Sequence, residues 1–553
     1  MRRLLFSLGM LYCTVLSVFG QGGSQAAEEQ KRLVYFTDKA NTPFSISQPQ
    51  DFLSAKALER RQRQQIPLSV RDLPVDPAYV TAVQNEGVRV LYTSRWFNAA
   101  VVQCSAQKLQ EIEALPFVKK TRTLNRIATP ATELKRKYLQ EMEALPYTSN
   151  VALGQGDYGL AFHQANMLGA TELHAAGYTG EGMTIAVLDA GFPEVNTLAA
   201  FSHLFQEKKI RGTFDFVQKG QDVYGANAHG TAVLSTMAAY APGQMIGTAY
   251  AANYLLLRTE DAASEHHVEE INWLLAAEYA DSAGADVINS SLGYTTFDSP
   301  SVSYTYQDLD GNTTLVARAA DMAASTGMLV VVSAGNEGNK PWQYIASPAD
   351  ADSVLTVGAV DSLGIKAGFS SFGPSADGQL KPDVVALGKN AYVLSSAGEV
   401  IKSNGTSFSG PIMAGFAACL WQTNLGRTNI QLIDQIRQSG SNAAMPDSAV
   451  GYGLPTYGKT LNALPEAPLP GHAYITNPVR DQPLVLALSQ ELWSQPMEVQ
   501  ILDVTGKQLA HQRFASAQRE QVLQLAPHQL KAGLYFCRVR SGNRVLTLRF
   551  VKL

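Results

Sequence analysis

Leu329-Val-Val-Val332 runs directly into Ser333-Ala-Gly-Asn-Glu-Gly338, a short apolar stretch followed by a glycine-rich turn. Four consecutive apolar residues leave no polar face, so the strand they form is covered on both sides, as in a parallel sheet layered by helices. The same texture recurs along the chain. Thr184-Ile-Ala-Val-Leu188, Tyr254-Leu-Leu-Leu257 and Val287-Ile288 come before it, and Leu355-Thr-Val-Gly-Ala359 and Val384-Val-Ala-Leu387 come after. Helical patterns lie between the runs, over 268–283 and 314–325 for example. Strands and helices in alternation predict an α/β domain over residues 154–464, a parallel sheet flanked by helices. In such sheets functional residues collect beyond the carboxyl ends of the strands.

Polar residues follow several of these runs. Asp189-Ala-Gly191 follows Leu188, Asn289-Ser-Ser-Leu-Gly293 follows Ile288, and Asn336 lies in the turn after Val332. Two more groups open helices: His229-Gly-Thr231, and Gly405-Thr-Ser407-Phe-Ser-Gly-Pro411. A serine hydroxyl is a weak nucleophile unless a base lies within hydrogen-bond reach and a third group orients that base. Ser407, His229 and Asp189 are candidates for those roles. At a helix opening Ser407 lies near orphan backbone N–H groups, which suits an oxyanion, and Asn336 is a candidate second donor. Ser409, two residues on, reads as a bystander in the helix start.

The order Asp, His, Asn, Ser in the motifs D-x-G, H-G-T, S-A-G-N-x-G and G-T-S-x-S-G-P resembles the subtilisin-like serine endopeptidases over roughly residues 161–464. The resemblance implies roles: Asp189 orients the imidazole, His229 is general base and then acid, Ser407 is the nucleophile, and Asn336 with the Ser407 N–H binds the oxyanion. It further implies that Ser291, Leu292 and Gly293 pair with substrate backbone as an added strand, with Ala334 and Gly335 across the cleft. Ala346, before Ser347-Pro348, aligns with the floor of the first specificity pocket, and a small residue there favours a bulky apolar side chain before the cut. The sequence departs from the family at Ala190, where a hydroxyl residue is usual. An esterase of the α/β-hydrolase type is excluded, because it needs G-x-S-x-G and the reverse order of residues. The remaining alternative is a surface binding protein on a catalytically dead copy of this fold.

Metal chemistry finds little support. His266-His267 beside Glu265 and Glu269 lacks the H-E-x-x-H spacing. Asp308-Leu-Asp310-Gly-Asn312 has its glycine at the fourth position, not the sixth that a calcium loop of the helix-loop-helix type needs. No metal ligand is assigned, no cofactor is expected, and calcium is left open without a site.

The flanking segments differ in texture. Arg2-Arg3 followed by an apolar stretch from Leu4 to Phe19, with Gly20 at a small-residue cleavage point, predicts a signal peptide over residues 1–20. That stretch is short of the roughly 20 apolar residues of a membrane span. Residues 28–150 read strand, helix, strand, strand, helix, strand, then a polar linker with the basic cluster Lys135-Arg136-Lys137. By pattern and position this α+β unit resembles the family's inhibitory propeptide, and the chain's own propeptide is therefore an expected partner. Residues 468–553 break into short strands with turns at Asp503-Val-Thr-Gly-Lys507 and Ser541-Gly-Asn543, which predicts a β-sandwich. Asn477-Pro-Val479, Gly533-Leu-Tyr535 and the final Lys552-Leu553 resemble the C-terminal sorting domain of type IX secretion. That resemblance implies export through the periplasm to the medium or the outer cell surface, with the type IX machinery as a partner and proteins or peptides as substrates.

Composition agrees with this layout. The chain has 553 residues with 46% hydrophobic side chains, which is material for several packed cores and excludes wholesale disorder. Forty-four basic residues against 48 acidic ones give a net charge of −4, which speaks against nucleic-acid binding. The four cysteines, Cys13, Cys104, Cys419 and Cys537, fall one to each segment, so a disulfide framework is not expected.

Overall fold

The computed structural model describes residues 29–124 and 156–460 continuously, and then 473–475, 484–488, 492, 494–518, 520–524, 530–531, 533–542 and 544–552. The signal stretch with Cys13, the basic cluster at 135–137, the linker at 463–471, Asn477-Pro-Val479 and Leu553 lie outside the described residues. The described chain divides into two compact units. The first holds residues up to 43 and from 74 to 130, and the second holds 44–73 and everything beyond.

The first unit has the predicted β-α-β-β-α-β order. Its strands are β1 (Gln30–Phe36), β2 (Arg89–Ser94), β3 (Ala99–Cys104) and β4 (Val118–Thr123). They form one antiparallel sheet in the order β2-β3-β1-β4. Alternate residues of β1 and β3, Val34, Phe36, Ala100 and Val102, make a core with Val83 and Ile112 from the two helices that follow. Between β1 and those helices the sequence reading overlooked a helix. It is α1 (Ala55–Arg63), which belongs to the second unit. Then come α2 (Pro77–Asn85) and α3 (Ala106–Glu113). Side-chain caps fix all three starts: Ser54, Asp76 and Ser105 accept from the N–H groups of Ala57, Ala78 and Lys108.

The second unit is built on a seven-stranded sheet. Its strands are β5 (Thr184–Asp189), β6 (Ile210–Asp215), β7 (Asn253–Arg258), β8 (Val287–Ser290), β9 (Leu329–Ser333), β10 (Leu355–Val360) and β11 (Val384–Leu387). The order is β11-β10-β9-β8-β5-β7-β6, and every pair is parallel. Six of the seven strands coincide with apolar runs. The seventh, β6, has no such run because, unlike the other edge strand β11, it stays partly exposed along most of its length. The chain leaves β5, places β6 and β7 on one side, then crosses to β8 on the other. That reversal makes the carboxyl ends of β5, β8 and β9 the place for a site.

Helices cover both faces. The principal ones are α4 (His229–Ala238), α5 (His267–Ala283), α6 (Leu315–Ser325) and α7 (Thr406–Gln422). Helix α4 starts at His229 itself, whose N–H donates to Asn227 Oδ1 at 2.8 Å. Ile185, Val187, Leu256, Val287, Val331 and Val357 of the sheet share one core with Val233 of α4 and Ile412 and Phe416 of α7. Burying each such side chain contributes about 1.5–3 kcal/mol.

The C-terminal segment forms two antiparallel sheets. One has the strand order 473–475, 485–488, 520–522, and the other 508–514, 497–503, 533–541, 544–552. Leu486 of the first shares a core with Val499, Ile501, Val539 and Phe550 of the second, so the pair is a sandwich. Cys104, Cys419 and Cys537 are all buried free thiols.

Candidate active site

Asp189 is the last residue of β5 and is fully buried. One carboxylate oxygen, Oδ1, accepts the Ala190 N–H at 2.7 Å and the His229 Nδ1–H at 2.8 Å. The other, Oδ2, is buried and has no hydrogen-bond partner among the described residues. The departure at Ala190 therefore has a visible counterpart: no hydroxyl reaches the second oxygen.

Two glycines let these elements close. At Gly230, in the first turn of α4, a Cβ would run into the Gly191 carbonyl and come within 3.0 Å of the Asp189 Cβ. Gly191 itself has φ +143°, and a Cβ there would meet the Gly225 carbonyl. Thr231 completes the H-G-T motif by donating to the Pro193 carbonyl at 2.8 Å, which ties α4 to the loop after β5.

Ser407 is the second residue of α7, after Gly405, whose φ of +152° only glycine adopts freely. It is 5% exposed. The next residue, Phe408, has its ring 6.2 Å from the His229 ring. The Ser407 N–H makes no hydrogen bond among the described residues, as expected one turn inside a helix start. The Ser407 carbonyl is also left over by the helix, because Pro411, four residues on, has no N–H to give it. Ser291 Oγ donates to that carbonyl at 2.9 Å, which fixes the edge segment beside the serine. Ser409 is fully buried and donates to the Thr406 carbonyl at 3.1 Å, the bystander expected.

Asn336 faces the same opening. Its Oδ1 accepts two bonds from Thr406, the N–H at 2.9 Å and the hydroxyl at 3.0 Å. The Thr406 hydroxyl in turn accepts the Gly335 N–H at 3.1 Å. With Oδ1 doubly engaged, the orientation of the amide is set. Thr406 stands inside the G-T-S motif, yet its role in holding Asn336 cannot be read from the motif.

A cleft of about 410 Å³ runs past these residues, lined by Ser291, Leu292, Gly293, Gly335, Asn336, Ala346 and Ser407 among others. Thr295, Glu337, Asn339, Lys340, Phe369 and Asn404 also line it and went unnoticed in the sequence. Along the edge, Leu292 and Gly293 make no backbone hydrogen bond among the described residues, whereas the Tyr294 N–H donates to the Ser347 carbonyl at 2.8 Å. Burial, with Glu260 beside it, holds the Tyr294 phenol well above its ordinary pKa.

The opposite edge is bonded to its own neighbours. The Ala334 N–H donates to the Val357 carbonyl at 3.0 Å and its carbonyl accepts the Ala346 N–H at 3.1 Å. The Gly335 carbonyl accepts the Ser371 N–H at 3.0 Å. The backbone groups of Ala334 and Gly335 thus make internal bonds, and of the two Gly335 lines the cleft.

The other candidates resolve into structural roles. His266 Nδ1 lies 2.9 Å from Ser301 Oγ, and His267 bridges Glu270 at 2.6 Å and the Val302 carbonyl at 3.1 Å. Asp310 Oδ1 accepts the N–H groups of Asn312 and Thr313, a polar turn. Glu260, Glu265 and Glu269 do bring one carboxylate oxygen each within 4.8 Å of one another. Glu269 caps the start of α5 by accepting the His266 N–H at 2.9 Å, and Glu260 accepts the Tyr294 hydroxyl at 2.5 Å.

The geometry agrees with comparisons to known proteins. Residues 180–453 match the subtilase family model, 31–140 a Bacteroidota peptidase S8 propeptide domain, and 477–553 a secretion-system C-terminal sorting domain. Subtilisin from Bacillus pumilus is 30% identical over 288 residues, covering 51% of this chain and 92% of that protein. Subtilisin Savinase from Lederbergia lenta is 31% identical over 277 residues, covering 49% of this chain and 88% of that protein. For Subtilisin NAT from Bacillus subtilis subsp. natto the identity is 30% over 276 residues, and the chain spans 64% of that protein's length. The sorting domain addresses the chain to the cell surface or the extracellular space. With its seven-stranded parallel sheet and the Asp189–His229 pair at the reversal of strand order, the chain belongs to the subtilase family.

Proposed function

We propose that the chain is a secreted serine endopeptidase that cleaves protein and peptide substrates through an acyl-enzyme, exported by type IX secretion. Ser407 Oγ attacks the scissile carbonyl while His229 takes its proton and later delivers it to the leaving amine. Asp189 holds the imidazole through Nδ1 and stabilises it when charged. The Ser407 N–H and the Asn336 NH2 receive the oxyanion. Leu292 and Gly293, with their backbone groups unused, take the substrate as an added strand. No step as written calls on a metal or cofactor.

The observation that carries the reading is the 2.8 Å bond from His229 to a fully buried Asp189, in a molecule where His229 lies against Phe408 at the Ser407 helix start. Labelling with a fluorophosphonate probe tests it. Covalent labelling of wild type that is lost in Ser407→Ala supports the endopeptidase. Absence of labelling in mature wild-type protein turns the reading over to a binding protein on a dead fold.

Two finer statements belong to the same proposal. Residues 28–150 act as an inhibitory propeptide, so that segment added in trans should inhibit the mature enzyme. The small Ala346 leaves the cleft open to a bulky apolar side chain before the cut, which sequencing of cut sites in a digested peptide library would test.

A further inference from the structure

The Ser407 carbonyl is held from outside its own helix. A carbonyl in a helix accepts the N–H four residues on, and at that place in α7 Pro411 has none to give. The Ser291 hydroxyl donates instead, at 2.9 Å. Behind it, Asn289 Nδ2 donates to Ser291 Oγ at 3.3 Å. A chain of two side chains therefore runs from the end of β8 to the backbone of Ser407.

The end of β8 is rigid enough to act as the anchor. Asn289, Ser290 and Ser291 are all buried. On the α5 side, the buried Trp273 donates its indole N–H to Ser290 Oγ at 2.9 Å. On the α7 side, a Cβ on Gly410 would lie 3.8 Å from Asn289 Oδ1 and 3.7 Å from the Ser333 Cβ, so the helix passes close over the ends of β8 and β9. Asn289 Oδ1 is buried and accepts no hydrogen bond among the described residues. An amide in that position carries the cost of an unmade bond. The side-chain bond it does make is the one to Ser291.

Ser407 thus lies between two clamps that come from different strands. Thr406, the residue before it, is bonded twice to Asn336 in the turn after β9. The carbonyl of Ser407 itself is bonded to Ser291 just after β8. Fixing that carbonyl sets the plane of the peptide that leaves the serine, and with it the direction in which Oγ points. An error of about 1 Å in the position of a reacting atom can cost as much as 10²-fold in rate.

We propose that Asn289 and Ser291 are positioning residues for the nucleophile. The Ser291 hydroxyl takes over the bond that Pro411 denies the Ser407 carbonyl, and Asn289 aims that hydroxyl. The side chain of Ser291 therefore serves the serine, apart from any pairing of the neighbouring backbone with substrate. This role rests on the reading of Ser407 as the nucleophile of an endopeptidase.

The test separates the two uses of Ser291. A small fluorophosphonate probe has no peptide chain to lie along the edge, so its second-order rate of labelling reads Ser407 alone. Steady-state hydrolysis of a peptide amide reads kcat and KM. Ser291→Ala should slow labelling and lower kcat, each about ten-fold, the scale of one bond lost to a buried carbonyl, with KM nearly unchanged. Ser291→Thr, which restores the hydroxyl, should recover most of both. Asn289→Ala should cost a few-fold alone and little when added to Ser291→Ala. Pro411→Ala returns an N–H to the place whose helical acceptor is the Ser407 carbonyl. In that background Ser291→Ala should cost little, and this cycle decides the matter even where Asn289→Ala fails to fold. Labelling of Ser291→Ala at the wild-type rate, a change confined to KM, or equal losses with and without Pro411→Ala overturns the proposal. Absence of labelling in the wild type is a different result, because it defeats the endopeptidase reading and this role with it.

Discussion

Replacing Thr406 with valine tests how the oxyanion donor is held. The substitution keeps the shape of the side chain and the N–H bond to Asn336 Oδ1 at 2.9 Å, but deletes the hydroxyl bond at 3.0 Å and the acceptor of the Gly335 N–H. Of the two bonds lost, the one that holds Asn336 contributes about 0.5–1.5 kcal/mol. Asn336 then wanders from its aim but does not leave, so kcat should fall roughly 3- to 10-fold with KM nearly unchanged. Asn336→Ala removes the donor itself and should cost on the order of 10²–10³ in kcat, the figure already known for the oxyanion asparagine of a subtilisin. If Thr406 acts through Asn336, adding Thr406→Val to Asn336→Ala should change little. Thr406→Ser, which restores the hydroxyl, should recover most of the activity. The assay is steady-state hydrolysis of a peptide amide by the four proteins of the double-mutant cycle. Full additivity of the two losses, or a change confined to KM, would refute the positioning role.

Ser407→Ala should abolish peptide hydrolysis, whereas Ser409→Ala should keep it within a few-fold; active-site titration of both variants checks this. Ala190→Ser should offer Asp189 Oδ2 its missing donor and stabilise the carboxylate, so the acidic limb of the pH–rate profile should move to lower pH as His229 becomes less basic. Burial pushes the Asp350 carboxyl up to about 6 in spite of the Ser347 and Gly311 donors and the nearby Lys381. The folded state therefore holds that proton more tightly than the unfolded chain, and stability falls as pH rises from about 4 to 6. Asp350→Asn should raise unfolding free energy by a few kcal/mol at pH 8 and by little at pH 4, measured by denaturant titration in the Ser407→Ala background; an equal gain at both pH values contradicts it. Deleting residues 468–553 should leave hydrolysis intact in vitro and strand active enzyme in the periplasm of the native host, read by cell fractionation.

The fold was legible where burial is two-sided. A strand covered on both faces must be apolar at every position, and that is a local signal, so six strands of the large sheet stood out as runs. Strand β6 escaped because it is only partly covered, unlike the buried edge strand β11, and Ile210-Arg-Gly-Thr-Phe-Asp215 carries no run. The site was legible for a related reason. Gly191 and Gly230 are required where two backbones meet at Asp189, so the catalytic candidates came marked by neighbours that no other residue replaces. What each cleft residue does with its backbone was not marked. The bonds of Ala334-Gly335 to Val357, Ala346 and Ser371 come from register between distant segments and leave no local sign.

Helix α1 marks the limit of local reading. Alone, Glu59-Arg-Arg-Gln-Arg-Gln-Gln65 is a polar, highly charged stretch that resembles a solvated linker. Its partners for Arg60 and Arg61 lie 221 and 220 residues away at Asp281. A helix of nine residues is too short to persist by propensity, so docking at the carboxyl ends of α5 and α6 is what forms it. The same charges that make the stretch look exposed are therefore the reason it is buried. A basic run facing helix carboxyl ends and two buried carboxylates loses its water and gains fixed acceptors. Charge in a sequence reports where water could be, and the acceptors a fold assembles from distant residues decide whether water stays.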